Sequence, residues 1–425
     1  WTFHLREGVK FHDGDVMDSG DVVASIKLAS NPDSPSAYSS YTSSFESVEA
    51  PDANTVVIKT ERPNPLMLFD VAQLYVLKQE IAEVGTEEQV ADNVIGTGRY
   101  KFVEQVKEDH IDLAANEDYW GEVPAIKNVR FRPITNEATR TATMLTGDVD
   151  FTIDVSARDI DRLDATEGIS VIKQKGLREI YLNLASREDS PLFPGQKNPM
   201  SDVKVRQAMY LAIDEGTIIK NIMNGCAYEM NSVVPEDYVG YTEVTREAYD
   251  PEKAKELLAE AGWDGSHELV FSVPTGNSIR EQAAVIIQQN LQEIGIKTKI
   301  ESADFATHLT KVREGNYDLG LIGSGGSPDP SECVINFKPD HINNFSHLSD
   351  WTIYNTGAEG EHAFSFEDRK VNYDNYQELL VEQVPFCFLY FQNNLFAYNN
   401  RIGNVKDNQD YSQLNRDVWN WTIEK

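Results

Sequence analysis

Cysteine is scarce in this 425-residue chain: Cys226, Cys333 and Cys387 are widely spaced and include no CxxC pair. That count gives neither a disulfide framework nor a zinc site, and it leaves open a single pairing outside the cell. Basic residues are also few, 38 against 69 acidic, for a formal net charge of −31. A surface so negative repels phosphate backbones, which excludes nucleic acid as a partner. No apolar run approaches the roughly 20 residues needed to span a bilayer. Walker A spacing, HExxH and a nucleophile elbow are all missing. No carboxylate pair stands out from the acidic background, so hydrolytic chemistry lacks its usual signatures.

What is present describes a soluble globular protein. Hydrophobic residues make up 40% of the chain and mean hydropathy is −0.44. The length calls for two or three domains. The acidic residues are spread along the chain rather than gathered in a tail. Cation binding and a halophilic setting both explain such a charge; its diffuse distribution favours the halophilic one, where salt screens self-repulsion. Trp1 falls inside a strand pattern, so the natural N-terminus, with any targeting segment or anchor, is expected upstream.

The residues 1–23 organise the reading. Trp1, Phe3 and Leu5 alternate with Thr2, His4 and Arg6 as in a half-buried strand. His12-Asp13-Gly14-Asp15 is turn chemistry. Asp18 is placed as a helix N-cap with Asp21 three residues on, and Val22, Val23, Ile26 and Ala29 follow at helical spacing. A Ser- and Tyr-rich loop over 31–47 carries Tyr38 and Tyr41. Ile95-Gly96-Thr97-Gly98-Arg99-Tyr100 is a second marker, and no phosphate loop fits its spacing. Paired strands are expected over 100–106 and 110–115, then a helix over 136–145 stopped by Gly147. A strand is read at 180–184. Asp202 caps a helix in which Arg206 reads as a structural ion-pair partner.

Helices over 251–261, 278–293 and 304–313, interleaved with strands at 296–301 and 317–322, give a β-α-β-α-β rhythm. Gly323-Ser324-Gly325-Gly326-Ser327-Pro328-Asp329-Pro330 follows directly, at the strand end where open α/β sheets bind ligands. Pro328 stands where a dinucleotide fingerprint needs glycine. His341, His347 and His362 match no compact ligand spacing, so no metal is expected. Phe386 to Asn393 is an apolar strand with polar groups at its end, and Trp419 and Trp421 alternate in an expected final strand.

These markers, in this order, resemble the family 5 solute-binding proteins of ABC importers, of oligopeptide- and dipeptide-binding type. The similar segments are Leu5-Arg6-Glu7-Gly8-Val9-Lys10-Phe11-His12-Asp13-Gly14, Gly96-Thr97-Gly98-Arg99-Tyr100, Asn116 through Tyr119-Trp120-Gly121, Gly147-Asp148-Val149-Asp150 and Val205-Arg206 through Ala212-Ile213-Asp214. The chain departs from the pattern at Asp18-Ser19-Gly20, at Arg99 in place of proline, and at Gly326, where peptide-binding relatives carry an Asp for the ligand's α-amine. The resemblance implies an α/β, periplasmic-binding-protein-like two-lobe fold of type II with an extra domain, mixed sheets with helices on both faces, and two hinge crossovers. Residues 1–95 would form the extra domain, 96–182 and 394–425 lobe I, and 183–393 lobe II. It implies an extracytoplasmic receptor without catalysis, lipoprotein-anchored and monomeric, that captures a peptide and delivers it to a membrane permease. Tyr41, Ser324, Gly325, Gly326, Asp329, Tyr390 and Gln392 are the expected ligand contacts, with no cofactor. Oligosaccharide and nickel- or metal-chelate receptors are rivals of the same fold, and a secreted hydrolase is the rival of another class.

Overall fold

The first strand, Thr2–His4, pairs antiparallel with Thr55–Thr60, which pairs in turn with Phe45–Asp52. In this computed structural model all residues are described except 32–37, 239, 245, 327–328, 406–413 and 425. Helix Ser19–Ser30 lies against the three strands, and Val23, Ile26, Val56, Ile58 and Met67 form a small apolar core. The helix starts where its sequence places the cap. Asp18 accepts from the Gly20 amide at 2.7 Å, and Asp21 accepts from the Asp18 amide at 2.9 Å, closing a capping box. The other Asp21 oxygen accepts from the Gln79 amide at 2.8 Å, so one carboxylate serves two helix starts. The Asp13-Gly14-Asp15 turn grips Lys78, whose Nζ lies 2.8 Å from Asp13 and 2.5 Å from Asp15. Those carboxylates, with Glu80, hold the ammonium pKa above its ordinary range.

His12 joins the first marker to the second. Its Nδ1 accepts from the Gly96 amide at 3.2 Å, and its Nε2 donates to the Gly98 carbonyl at 3.0 Å. Only the neutral ring can do both, and burial lowers its pKa accordingly. Tyr100–Val106, His110–Ala115 and Asn128–Phe131 then form a second three-stranded antiparallel sheet. Arg99 lies over the Trp419 ring at 3.7 Å and the Tyr119 ring at 4.8 Å, which gives the departure from proline a cation–π role. Trp419 is not in a strand as the alternation suggested: Leu414–Asn420 is a 3-10 helix, and the final strand is only Thr422–Ile423. Trp421 is buried and packs on Phe151 at 4.6 Å, so the two indoles have separate partners.

The chain divides into two units. Unit 1 comprises Trp1–Ile153, Leu163–Ser170 and Ala397–Lys425; unit 2 comprises Asp154–Arg162 and Val171–Phe396. Unit 2 is built on a mixed sheet in the order Lys297–Ala303, Glu268–Pro274, Leu319–Ser324, Ile169–Leu184, Phe386–Asn399. The first three run parallel, Leu319–Ser324 is antiparallel to Ile169–Leu184, and short strand Ala227–Glu229 pairs with Tyr390, Phe391 and Gln392. Leu182, Leu184, Phe271, Leu319, Leu321 and Phe388 are among its fully buried core. Asn277 and Asp304 cap helices Ser278–Glu293 and Phe305–Glu314, and Gly315, at φ +71°, ends the second.

Two local readings are corrected. The strand read at 180–184 is the last third of a 16-residue strand. Among the described residues Arg206 makes no ion pair; it donates to the carbonyls of Met200, Ser201, Gln383 and Val384, tying its helix to the end of helix Phe366–Gln383. The three cysteines are buried and free. Among the described residues no helix is long and apolar enough to cross a membrane.

His308 gives the core of unit 2 a pH dependence. It is 1% exposed, its Nδ1 lies 2.9 Å from the Ser272 hydroxyl, and burial, with Arg280 and Lys311 nearby, lowers its pKa to about 4. An unfolded imidazole takes its proton near pH 6.5 and the folded one only near 4. Its contribution is therefore intact above about pH 6.5 and lost as pH falls toward 4, by up to ~3 kcal/mol. Urea unfolding at pH 7 and pH 4.5 should show a smaller acid loss in His308→Asn than in the wild type; equal losses would contradict this.

Candidate functional site

The carboxyl end of strand Leu319–Ser324 is a place without room for side chains. A Cβ on Gly323 would lie 2.4 Å from Arg280 Nη2 and 2.7 Å from Ile180 Cδ1. Gly326 has φ +72°, and a Cβ there would lie 1.6 Å from the Leu177 carbonyl oxygen. On strand Ile169–Leu184, a Cβ on Gly176 would lie 2.3 Å from the Gln392 carbonyl oxygen. At Gly176 and Gly326 the obstacle is backbone, so glycine is required there; at Gly323 it is the ends of two side chains, which can shift. Gly325 is exposed with open space around it. The surface presented here is main chain, with the half-buried Ser324 hydroxyl beside it.

The other expected contacts are placed as follows. Asp329 accepts from the Ser331 amide at 3.0 Å and hydroxyl at 2.7 Å, and it pairs with Arg369 at 2.5 Å with both side chains largely buried. Its carboxylate is thus committed inside the protein, at the start of the turn Ser331–Val334. Tyr390 is 1% exposed within the unit 2 core, and burial pushes its hydroxyl pKa up to about 12. Gln392 is half-buried, with its backbone against Gly176. Ser327 and Pro328 lie outside the described residues. Tyr41 belongs to unit 1, on the one-turn helix Ser39–Thr42, with its ring 6.4 Å from Tyr38 and 6.2 Å from Phe69. Ser36 and Ala37 of its loop are also outside the described residues.

Three ionisable residues around residues 323–326 escaped the sequence reading. Glu179 is in register with Ser324 and 4% exposed, and burial lifts its carboxyl pKa to about 8. It is therefore an uncharged acid at neutral pH, with the Cys333 thiol 3.6 Å away. Arg178 is exposed on the same strand, and Arg280, 5% exposed, comes from the first turn of helix Ser278–Glu293. No spacing rule draws these together; only the pairing of the strands does.

Elsewhere, Glu104, His110 and Asp112 place their ligand atoms within 4.8 Å of one another. Asp112 already takes a two-pronged bond from Arg130 at 2.6 and 2.5 Å, and His110 Nδ1 lies 2.7 Å from Asp109. The Asp109 carboxylate raises the His110 pKa. This is an ion network on a hairpin.

A bare main-chain floor, a hydroxyl and flanking arginines offer hydrogen bonds and positive charge to a ligand. The mixed-sheet α/β architecture in two units sets the fold class. The chain belongs to the bacterial extracellular solute-binding proteins, family 5, whose middle-region profile matches residues 1–344. It is 30% identical over 361 residues to the dipeptide-binding protein of Escherichia coli K12, covering 77% of this chain and 66% of that protein. The chain thus spans just under two thirds of that relative's length. Its fold is similar to NikZ of Campylobacter jejuni in complex with Ni(L-His) (TM-score 0.86, 23% identity, 99% of this chain and 87% of the other). It is also similar to DppA of Helicobacter pylori in complex with the peptide STSA (TM-score 0.81, 24% identity, 100% and 86%).

The close approach at Gly326 is directly testable. Gly326→Ala adds a methyl at positive φ into a carbonyl oxygen and should cost at least ~2 kcal/mol in urea unfolding. Gly325→Ala, with open space around it, should stay within about 0.5 kcal/mol of wild type. Equal effects at the two positions would refute the geometry.

Proposed function

We propose that the protein is an extracytoplasmic solute receptor of an ABC importer that captures a peptide and hands it, chemically unchanged, to a membrane permease. The observation that carries this reading is the family match over residues 1–344. The peptide follows from the relatives: the E. coli protein is named for dipeptides, and the H. pylori structure holds the peptide STSA. The geometry supports capture, because residues 323–326 expose main-chain groups that can bond a ligand backbone without reading its side chains. Ser324, Gly325, Gly326, Gln392 and Tyr41 are the proposed contacts, with Asp329 and Tyr390 supporting them from the interior. A ligand that favours a closed arrangement by its differential affinity would couple capture to docking on the permease. The division into an extra domain at 1–95, lobe I at 96–182 with 394–425, and lobe II at 183–393 is part of the same proposal, as are a monomeric state, a lipoprotein anchor and a halophilic setting.

A metal chelate is the second reading, favoured by the fold's similarity to a protein holding Ni(L-His). Mass spectrometry of the solute released from natively purified protein separates the two. Short peptides of mixed sequence are the expected result. A single sugar or a metal chelate would overturn the peptide, and turnover of the released solute would overturn capture without chemistry.

A further inference from the structure

The hairpin of strands Tyr100–Val106 and His110–Ala115 in unit 1 holds one polar atom that its ion network leaves out. His110 is 9% exposed, and Asp109 fixes its ring by accepting from Nδ1–H at 2.7 Å. The other ring nitrogen, Nε2, is buried with no hydrogen-bond partner. It faces Glu104 Oε1 at 3.6 Å and Asp112 Oδ2 at 3.8 Å, too far from either for a hydrogen bond. A polar atom shut away from water and left unfilled is a cost that native proteins rarely carry.

The strand register explains how these three groups meet. Phe102 pairs with Leu113, and an unbroken ladder would then set Glu104 opposite Ile111. An irregularity between Phe102 and Glu104 shifts the pairing by one, so that Glu104 stands opposite Asp112. Side chains alternate along a strand, so this bulge turns Glu104 onto the face that His110 and Asp112 share. On the third strand Arg130 is in register with Asp112 and donates to both its oxygens, at 2.6 and 2.5 Å.

We propose that Glu104, His110 and Asp112 bind one divalent transition-metal ion of the zinc class, through His110 Nε2 and one oxygen of each carboxylate. The three ligand atoms lie within 4.8 Å of one another. Ordinary Zn–N and Zn–O lengths place neighbouring ligand atoms about 3.4 Å apart, so the imidazole and the two carboxylates need only small adjustments to share an ion. The surroundings are those of a ligand set. Asp109 on Nδ1 sets the tautomer that leaves Nε2 to the metal, and Arg130 orients Asp112 while each carboxylate oxygen keeps a second lone-pair direction. One imidazole with two carboxylates suits Zn²⁺ or Ni²⁺, whereas Mg²⁺ and Ca²⁺ favour all-oxygen shells. Glu104 is exposed, so the ion enters from solvent, and once bound it staples the two strands. The site lies wholly in unit 1 and does not depend on the solute-capture reading.

Calorimetry on the chelator-stripped full chain, titrated with zinc chloride in excess Mg²⁺, tests this. One Zn²⁺ per chain should bind, and it should raise the Tm saturably. His110→Gln and Glu104→Gln should each weaken binding at least about tenfold, and Asp109→Ala, which removes only a positioning residue, should weaken it by roughly tenfold. Co²⁺ should give the visible absorption of a nitrogen- and oxygen-ligated site in the wild type and lose it in His110→Gln. Glu104 is exposed, so Glu104→Gln reports on the site even where His110→Gln fails to fold. His267→Gln, in unit 2, should bind as the wild type does. No saturable Zn²⁺ binding, or an affinity unchanged in Glu104→Gln, would overturn the proposal, as would displacement of Zn²⁺ by Mg²⁺ at equal concentration.

Discussion

Backbone approaching backbone more closely than a Cβ allows is the constraint on which unit 2 depends. Gly176 against the Gln392 carbonyl and Gly326 against the Leu177 carbonyl lie on one strand and on the loop that follows its neighbour. Each lets two stretches of main chain pack where a side chain would hold them apart. It also explains how a site can serve ligands of varied sequence: a main-chain floor bonds a ligand backbone and ignores what the ligand carries.

The second organising principle is how a chain of net charge −31 keeps its interior electrically quiet. Glu179 avoids charge by shifting to about 8, whereas Asp318, lifted only to about 6, stays ionised at neutral pH and accepts from the Val270 amide at 2.7 Å. His308 avoids it in the opposite direction. Others keep their charge and find a partner, as Arg246 does with Glu215 and Arg369 with Asp329. In each case burial penalises the charged form, and either neutralisation or pairing resolves the penalty.

Much of the fold was legible because its signals are local. Asp18 with Asp21, Asn136 with Gly147, and Asp304 with Gly315 cap helices within the few residues that announce them. The family-like order of markers followed from the same short segments, and His12 shows that two of them touch. Legibility failed where the signal is tertiary. Strand Ile169–Leu184 carries Lys173, Gln174, Lys175 and Arg178 in its first part, a polar run that no alternation rule reads as a strand. Tyr390 ended an apolar run and so suggested a ligand contact, yet the run is buried to its end. Arg280 sits on a helix whose pattern gives no hint of the strand end it meets.

A crystal structure of the protein carrying the solute it retains through native purification would test the main-chain site directly. The expected result is a solute whose backbone bonds the main chain at Gly325 and Gly326. A solute bound elsewhere in the protein would contradict it.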